Sequence, residues 1–161
     1  MPSRVLSRIE DATEKDVPLI LQFIRELAEY EGGADRVSAT EDILRATLFG
    51  SQRNAHAVIA YSGQTAAAFA IYFFSYSSFS GLPNLYLEDI FVRPAYRALG
   101  AGKELFAFLA RRANERGCGR MEWSVLNWNE PAMGFYKRLG AHPVTDWTVF
   151  HLAKKEMAEL T

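Results

Sequence analysis

The stretch that decides the fold is residues 85–103, which read Leu-Tyr-Leu-Glu-Asp-Ile-Phe-Val, then Arg-Pro-Ala-Tyr-Arg, then Ala-Leu-Gly-Ala-Gly-Lys. The first part is apolar and typical of a strand, the last part is a glycine-rich turn, and the apolar spacing after it predicts a helix. A turn at a helix start directs main-chain N–H groups, and the positive end of the helix dipole, at one point. The stretch therefore predicts an anion site beside a strand that carries the carboxylates of Glu88 and Asp89.

Two nucleotide-binding motifs are excluded by spacing. A P-loop needs glycine five residues before Gly102, where this chain has Arg97, and it needs Ser or Thr after Lys103, where this chain has glutamate. A dinucleotide fingerprint needs a third glycine at the position of Leu105. What remains is Arg-x-x-Gly-x-Gly between a strand and a helix. A purely structural turn stays open at this point, because glycine turns are common.

The rest of the chain alternates helix and strand patterns. Capping residues Thr13 and Thr40 begin two predicted helices, which end near Tyr30 and at Gly50. A third helix leads from the glycine turn to residue 117, and a short fourth one covers residues 129–140. Strand patterns cover residues 5–9, 56–61, 65–76, 85–92, 120–126 and 147–152. This order predicts an α/β (α+β) chain with one mixed sheet and helices on both faces, in a single domain over residues 1–161.

Composition excludes several classes of protein. With 161 residues, 49% of them hydrophobic, and a net charge of −1, the chain is long enough for a core and gives no nucleic-acid or anionic-membrane signal. The longest apolar run, residues 66–74, is far shorter than the roughly 20 residues of a membrane helix. There is no signal-peptide pattern, and the single Cys118 fits a reducing compartment, so we expect a cytoplasmic protein. His56, His142 and His151 lack metal-ligand spacing, so we expect no metal.

Several further motifs, taken together with the glycine turn, carry a family resemblance. They are Glu-Leu-Ala-Glu-Tyr-Glu at 26–31, Tyr-Leu-Glu-Asp-Ile-Phe-Val at 86–92, Tyr96-Arg97, Trp-Asn-Glu-Pro at 128–131, Phe-Tyr-Lys-Arg at 135–138 and Gly140-Ala141. In this order, over nearly the whole chain, they resemble the GNAT superfamily of acetyl-CoA-dependent N-acetyltransferases, and within it the spermidine/spermine and thialysine acetyltransferase group. The resemblance implies the acyl-CoA acyltransferase fold with a mostly antiparallel sheet, a small-molecule amine substrate and a homodimer.

The resemblance also implies which residues bind acetyl-CoA. Main-chain N–H groups of the turn would hold its pyrophosphate, a role that falls to Arg97, Ala98, Leu99, Gly100, Ala101, Gly102 and Lys103. The end of the strand, at Ile90, Phe91 and Val92, would bind the pantetheine arm. The other side of the cofactor would be lined by Asn129, Glu130, Pro131, Ala132 and Tyr136. The family usually has glycine where this chain has Ala98, and we expect an ordinary φ there.

Two residues match the catalytic positions of the family. Tyr136 would lie near the thioester sulfur and stabilise the leaving thiolate, because a thiolate leaves more easily when it is protonated or hydrogen-bonded. Glu88 would draw a proton from the amine, directly or through a water. Strand alternation places Glu88 on one face with Tyr86 and Ile90 and sends Asp89 to the other face. The transfer would then be direct, in a ternary complex.

Tyr30, Glu31 and Trp128 match positions near the amine substrate, although a solvated helix end remains an alternative for the first two. Trp128 and Trp147 could line the acceptor groove or pack, and we expect packing for at least one. Ser77, Asn127 and Thr145 stand where polyamine acetyltransferases tend to have acids, which favours a smaller amine. The alternative function is a non-catalytic acyl-CoA-binding regulatory module, and the presence of Glu88 and Tyr136 favours the enzyme.

Overall fold

The computed structural model describes residues 5–161. The chain forms two compact units, Met1–Leu126 and Asn127–Thr161. Within the described part, the first unit contains β1 (Arg8–Asp11), α1 (Val17–Tyr30), α2 (Glu41–Phe49), β2 (His56–Ser62), β3 (Thr65–Ser77), β4 (Leu82–Val92), α3 (Ala101–Glu115) and β5 (Met121–Trp123). The second unit contains α4 (Glu130–Arg138) and α5 (Lys154–Glu159). Among the helices of residues 5–161, none is long and apolar enough to cross a membrane.

The sheet of the first unit has the order β1-β2-β3-β4-β5. Every pair is antiparallel except β4 and β5, which are parallel, so the predicted mixed, mostly antiparallel sheet is confirmed. On one face α1 and α2 pack against the sheet, and Phe23 stacks on Phe69 with ring centroids 4.9 Å apart. Ala68 and Ala70 lie on the other face of the sheet and are also fully buried. The buried side chains of α3, among them Leu105 and Leu109, do not belong to the core that α1 and α2 form on the first face.

Both predicted capping residues take up their roles. The N–H of Thr13 donates to Oδ2 of Asp16 at 2.7 Å, so Asp serves in place of the usual Glu or Gln, and a short 3₁₀ turn precedes α1. Oγ1 of Thr40 accepts from the N–H of Ile43 at 3.2 Å and begins α2, which ends before Gly50. These bonds fix where the two helices start and therefore which faces they present to the core.

Three predicted strands differ from the structure, and the one predicted over 120–126 covers only Met121–Trp123. The first lies at Arg8–Asp11 instead of residues 5–9, because only these residues lie opposite a partner in β2, from Tyr61 to Val58. The strand predicted over 147–152 is wrong: residues 141–153 have no regular structure, and Phe150 is 90% exposed. An apolar β-type run becomes a strand only when another strand pairs with it, and none does so here among the described residues.

A β-bulge interrupts β4 at Glu88. Ile71 of β3 lies opposite Asp89, whereas the next residue, Tyr72, lies opposite Leu87, so Glu88 is the extra residue. A bulge reverses the alternation of faces beyond it. Tyr86 and Ile90 pair with Phe73 and Ala70, which lie on opposite faces of β3. The prediction that Glu88 shares one face with both is therefore wrong.

The turn before α3 contains the one non-glycine residue with positive φ among residues 5–161. Ala98 has φ 59°, which corrects the expectation of an ordinary value there. The left-handed conformation costs an L-residue roughly 1–2 kcal/mol, because its Cβ crowds the following carbonyl. The left-handed conformation explains why the family usually has glycine at this position. Ala98 adopts that conformation despite the strain.

Replacing Ala98 by Gly should raise the free energy of unfolding by about 0.5–1 kcal/mol, because relief of strain exceeds the added entropy of the unfolded chain. Urea unfolding measures the change. Ala95→Gly is the matched control: Ala95 lies in the same turn without a positive φ, so its substitution should destabilise the protein. A destabilisation of equal size in both variants would contradict the strain at Ala98.

Candidate active site

One edge of β4 is left open beside the glycine turn. β5 pairs only with Leu85–Leu87 and ends at Trp123, so β4 has no strand partner on that side from Glu88 to Val92 within the described residues. The main-chain groups of such an edge can pair with an extended ligand as though it were another strand. Ile90, Phe91 and Val92, the predicted pantetheine contacts, lie on this open edge.

The open edge leads to the uncapped N-terminus of α3. Gly100 is the N-cap residue with φ 98°, and it has no side chain that could accept a hydrogen bond from the first helical N–H groups at Ala101, Gly102 and Lys103. A Cβ placed on Gly100 would meet no atom of residues 5–161 within 4 Å, so a ligand can approach the backbone of this residue closely. Uncapped N–H groups and the helix dipole suit a phosphate group, so the chemistry of this turn fits the pyrophosphate of acetyl-CoA.

The side chain of Arg97 turns away from the helix start and back towards β4. Its Nε donates to the carbonyl oxygen of Val92 at 2.7 Å. Its guanidinium carbon lies 4.8 Å from the ring centroid of Tyr30 and 5.2 Å from that of Phe91. The guanidinium of Arg97 therefore contacts the last residue of α1 and the end of β4. Only the main chain of Arg97 belongs to the anion turn.

The charges of two carboxylates, Glu88 and Glu31, act on a third, Asp89. Burial, then the charges of Glu88 and Glu31, raises the pKa of Asp89 from 3.8 to about 6. Burial also raises the pKa of Glu31, against the opposing charge of Arg36. Glu88 itself is exposed on the bulge. The bulge brings Asp89 onto the face of the sheet that packs against α1, and the sequence contains no pattern that predicts this bulge.

An aromatic pair continues the face that carries Asp89. Phe73 follows Ile71 on this face of β3, and its ring centroid lies 5.0 Å from that of Tyr86 opposite. The hydroxyl of Tyr86 is 3.0 Å from Oγ of Ser124, just beyond β5. An acidic patch beside aromatic rings is a suitable surface for a cationic amine. Sequence periodicity could not predict that these residues lie close together, because their proximity depends on the register between β3 and β4.

The second unit holds the remaining predicted residues. Asn129 is buried and is the N-cap of α4, where its Oδ1 accepts from the N–H of Ala132 at 3.3 Å, with Pro131 in the first turn. Tyr136, on the same helix, is half-buried, and its ring centroid lies 5.7 Å from that of Phe135. Trp128 and Trp147 are 54% and 78% exposed.

Comparison with known proteins decides the family. A model of the acetyltransferase (GNAT) family matches residues 20–141. The chain belongs to this family. A thialysine N-epsilon-acetyltransferase of Bos taurus is 39% identical over 163 residues, covering 94% of this chain and 95% of the relative. An L-ornithine N5-acetyltransferase of Arabidopsis thaliana is 30% identical over 195 residues, covering 92% and 85%. An integron cassette protein of V. cholerae shares the fold, with a TM-score of 0.79 at 23% identity over 98% of each chain.

As a member of the GNAT family, the protein is an N-acetyltransferase that takes acetyl from acetyl-CoA and transfers it to an amine. The family and fold predicted from the spaced motifs are confirmed. The same holds for the class of reaction. Among residues 5–161 of this GNAT enzyme, no group of three or more His, Cys, Asp or Glu is placed to hold a metal ion, and the three carboxylates beside β4 are included in that finding.

Two further residues of this GNAT enzyme with reactive side chains, His56 and Cys118, have structural surroundings. His56 stacks on Tyr72 with centroids 5.2 Å apart, and burial lowers its pKa. Burial raises the pKa of the Cys118 thiol, so this cysteine holds its proton more firmly than an ordinary one. Neither environment resembles that of an activated acyl acceptor.

Replacing Glu88 by Gln should lower the pKa of Asp89, because a like charge beside it is removed. Carbon NMR titration of the Asp89 carboxyl measures the shift. Glu31→Gln should produce a smaller decrease, and the exposed Glu29→Gln is the control and should produce none. Because folding raises this pKa, ionisation of Asp89 costs stability as pH rises from 3.8 to about 6. An unchanged pKa in Glu88→Gln would contradict the proximity of the two groups.

Proposed function

We propose that the protein acetylates the primary amine of a small, amino-acid-like substrate by direct transfer in a ternary complex. The observation that carries this proposal is the open edge of β4, which runs from the bulge at Glu88 to the uncapped start of α3. An extended arm with a pyrophosphate at one end matches that arrangement, with the arm along the strand and the anion at the helix. The acyl end would then lie near the acidic patch.

The acidic patch provides both attraction and proton removal. An amine arrives protonated near neutral pH and must lose a proton before it can attack. Glu88, exposed on the bulge, assists that deprotonation, directly or through a water. Asp89 and Glu31 add negative charge that attracts the ammonium, while Tyr30 and Trp128 contact the rest of the substrate. With a pKa of about 6, Asp89 is also ionised near neutral pH and is a second candidate for the base.

Tyr136 serves the other half of the reaction. As the C–N bond forms and the C–S bond breaks, the phenol donates a hydrogen bond to the departing sulfur. A phenol with an ordinary pKa near 10 is a weaker acid than a thiol near 8.5, so Tyr136 acts as a hydrogen-bond donor more than as a complete acid. Asn129, Glu130, Pro131 and Ala132 support the cofactor beside it.

The substrate class follows from two kinds of support. The two relatives named above act on thialysine and L-ornithine, each an amino acid with a terminal amine. In addition, Ser77, Asn127 and Thr145 leave fewer acids than a long polycation would need. Both favour an amine on an amino-acid side chain over a polyamine.

An acceptor panel tests the proposal. CoA release is measured with thialysine, ornithine, lysine, short diamines and spermidine at equal concentrations. We expect the highest kcat/KM for an amino acid with a side-chain amine and at least tenfold less for spermidine. A preference for spermidine would contradict the substrate class. Tight acetyl-CoA binding with no turnover on any amine would instead support a non-catalytic acyl-CoA-binding module.

We further propose that the enzyme works as a homodimer in the cytoplasm. The group that it resembles and its single cysteine support these two points. Sedimentation equilibrium of the purified chain should give twice the monomer mass, and a monomer at micromolar concentration would contradict the dimer.

A further inference from the structure

We infer that Arg97 is a positioning residue for the amine site, which it serves by holding Tyr30, and that its side chain does not bind the pyrophosphate. The inference rests on the proposed function, because that function places Tyr30 beside the acceptor. The position of Arg97 in the sequence indicates a role at the pyrophosphate. The inference assigns its side chain to the amine site instead.

The contacts of the guanidinium group carry this inference. Nε is bonded to the carbonyl oxygen of Val92 at 2.7 Å, which fixes the plane of the group at the end of β4. The same group lies 4.8 Å from the ring centroid of Tyr30 and 5.2 Å from that of Phe91, and these two rings are 6.4 Å apart. A planar, weakly hydrated guanidinium suits such stacking, and a lysine ammonium would not reproduce it.

Tyr30 is placed where such an anchor has an effect. It is the last residue of α1, is 40% exposed, and is followed closely by Gly32 with φ 72°. Helix ends of this kind are the least stable part of a helix. Phe91, by contrast, is buried in the core with α1 and α2. Arg97 therefore connects the buried end of β4 to the exposed end of α1, and this contact helps to set where the phenol meets the substrate.

The Arg97→Met variant tests the assignment, because Met keeps much of the bulk and removes the planar cation. We expect the KM for the amine to rise about fivefold, the scale of a cation–π contact at an exposed site, with the KM and Kd for acetyl-CoA changed less than twofold. Arg111→Met is the matched control: it removes an exposed guanidinium that lies 5.9 Å from the ring centroid of Phe108 on α3, away from Tyr30, and should leave the amine KM unchanged. A loss of acetyl-CoA affinity of tenfold or more in Arg97→Met, with an unchanged amine KM, would overturn the inference.

Variants of Tyr30 separate positioning from a general effect on the fold. Tyr30→Phe keeps the ring under the guanidinium, so Arg97→Met should still raise the amine KM about fivefold in that background. Tyr30→Leu removes the ring, so adding Arg97→Met should cause no further rise. A full additional effect of Arg97→Met in the Tyr30→Leu background would show that the arginine acts elsewhere and would overturn the inference.

Failure of the proposed function is distinguished by titration calorimetry with acetyl-CoA alone. If the wild-type enzyme turned over no amine, the proposed function would fall, and the acetyl-CoA Kd of Arg97→Met would still decide the role of the side chain. A Kd within twofold of wild type supports the assignment away from the pyrophosphate. A tenfold weaker Kd contradicts it.

Discussion

Replacing Tyr136 by Phe should lower kcat about 100-fold, the lower end of what a positioned proton donor contributes. The variant loses only the hydroxyl that we propose stabilises the departing thiolate. The ring stays, and with it the contact with Phe135 on α4. Because the hydroxyl acts on charge that develops only as the C–S bond breaks, the affinity for acetyl-CoA should stay within about twofold of wild type.

Steady-state kinetics and acetyl-CoA titration together measure this split. Tyr76→Phe is the matched control, since it removes the same atom from a tyrosine that is largely exposed near the β3–β4 turn. It should keep wild-type kcat. If Tyr136→Phe retained wild-type kcat and Glu88→Gln retained wild-type kcat/KM, the chemistry proposed for both residues would be wrong.

Replacing Arg93 by Met should lower the free energy of unfolding by about 2–3 kcal/mol, the scale of lost hydrogen bonds to a charged group. Arg93 follows β4 directly, and its Nε and Nη2 donate to the two carboxylate oxygens of Glu26 at 2.9 and 2.7 Å. Its Nη1 donates to the carbonyl oxygen of Ala66 at 2.8 Å, and the group lies 4.4 Å from the ring centroid of Phe23. One side chain thus joins α1, β3 and the start of the anion turn.

Urea unfolding of the single and double variants tests this clamp. Arg93→Met leaves the carboxylate of Glu26 partly buried without its cation. The loss of unfolding free energy in the double variant Glu26→Gln/Arg93→Met should therefore be smaller than the sum of the losses in the two single variants. Arg45→Met, which breaks exposed pairs with Asp42 and Glu14, should change stability by less than about 1 kcal/mol. Equal effects of Arg45→Met and Arg93→Met would contradict the clamp.

The pH dependence of the clamp has a defined sign. The hydrogen bond from Arg93 lowers the pKa of Glu26 below its ordinary value of 4.5, although burial opposes the shift. The stabilisation is therefore fully present above pH 4.5 and is lost as pH falls through the lowered pKa. The stability difference between wild type and Arg93→Met should shrink in the same interval.

Features with a local cause could be predicted from the sequence. Thr13 and Thr40 cap helices through bonds to residues three positions away, and Gly100 takes a φ that few other residues adopt, so each leaves a readable pattern. The family resemblance then predicted that the glycine turn belongs to the same site as Asn129 and Tyr136, which lie about 30 residues or more further along the sequence. These two sources predicted the first four helices, the hairpin, the mixed sheet and the reaction class, but not α5, which has no clear helix pattern in the sequence.

Features that depend on distant pairing could not be predicted. The bulge at Glu88 is set by the register of β3 against β4, and it moves Asp89 and Tyr86 onto one side of the sheet. The positive φ of Ala98 is imposed by the turn against the preference of the residue. The apolar run at 147–152 has the composition of a strand, but composition does not supply a partner. In each case the decisive interaction lies outside the segment.

The central claim is that the open edge of β4 and the turn before α3 hold acetyl-CoA for direct transfer to an amine. A single-turnover experiment with acetyl-radiolabelled acetyl-CoA tests it most directly. We predict that the label stays on the cofactor when enzyme and acetyl-CoA are mixed alone, and passes to the amine, with release of one CoA, once thialysine or ornithine is added. A stable labelled protein before the amine is added, or no labelled amine after it, would contradict the claim.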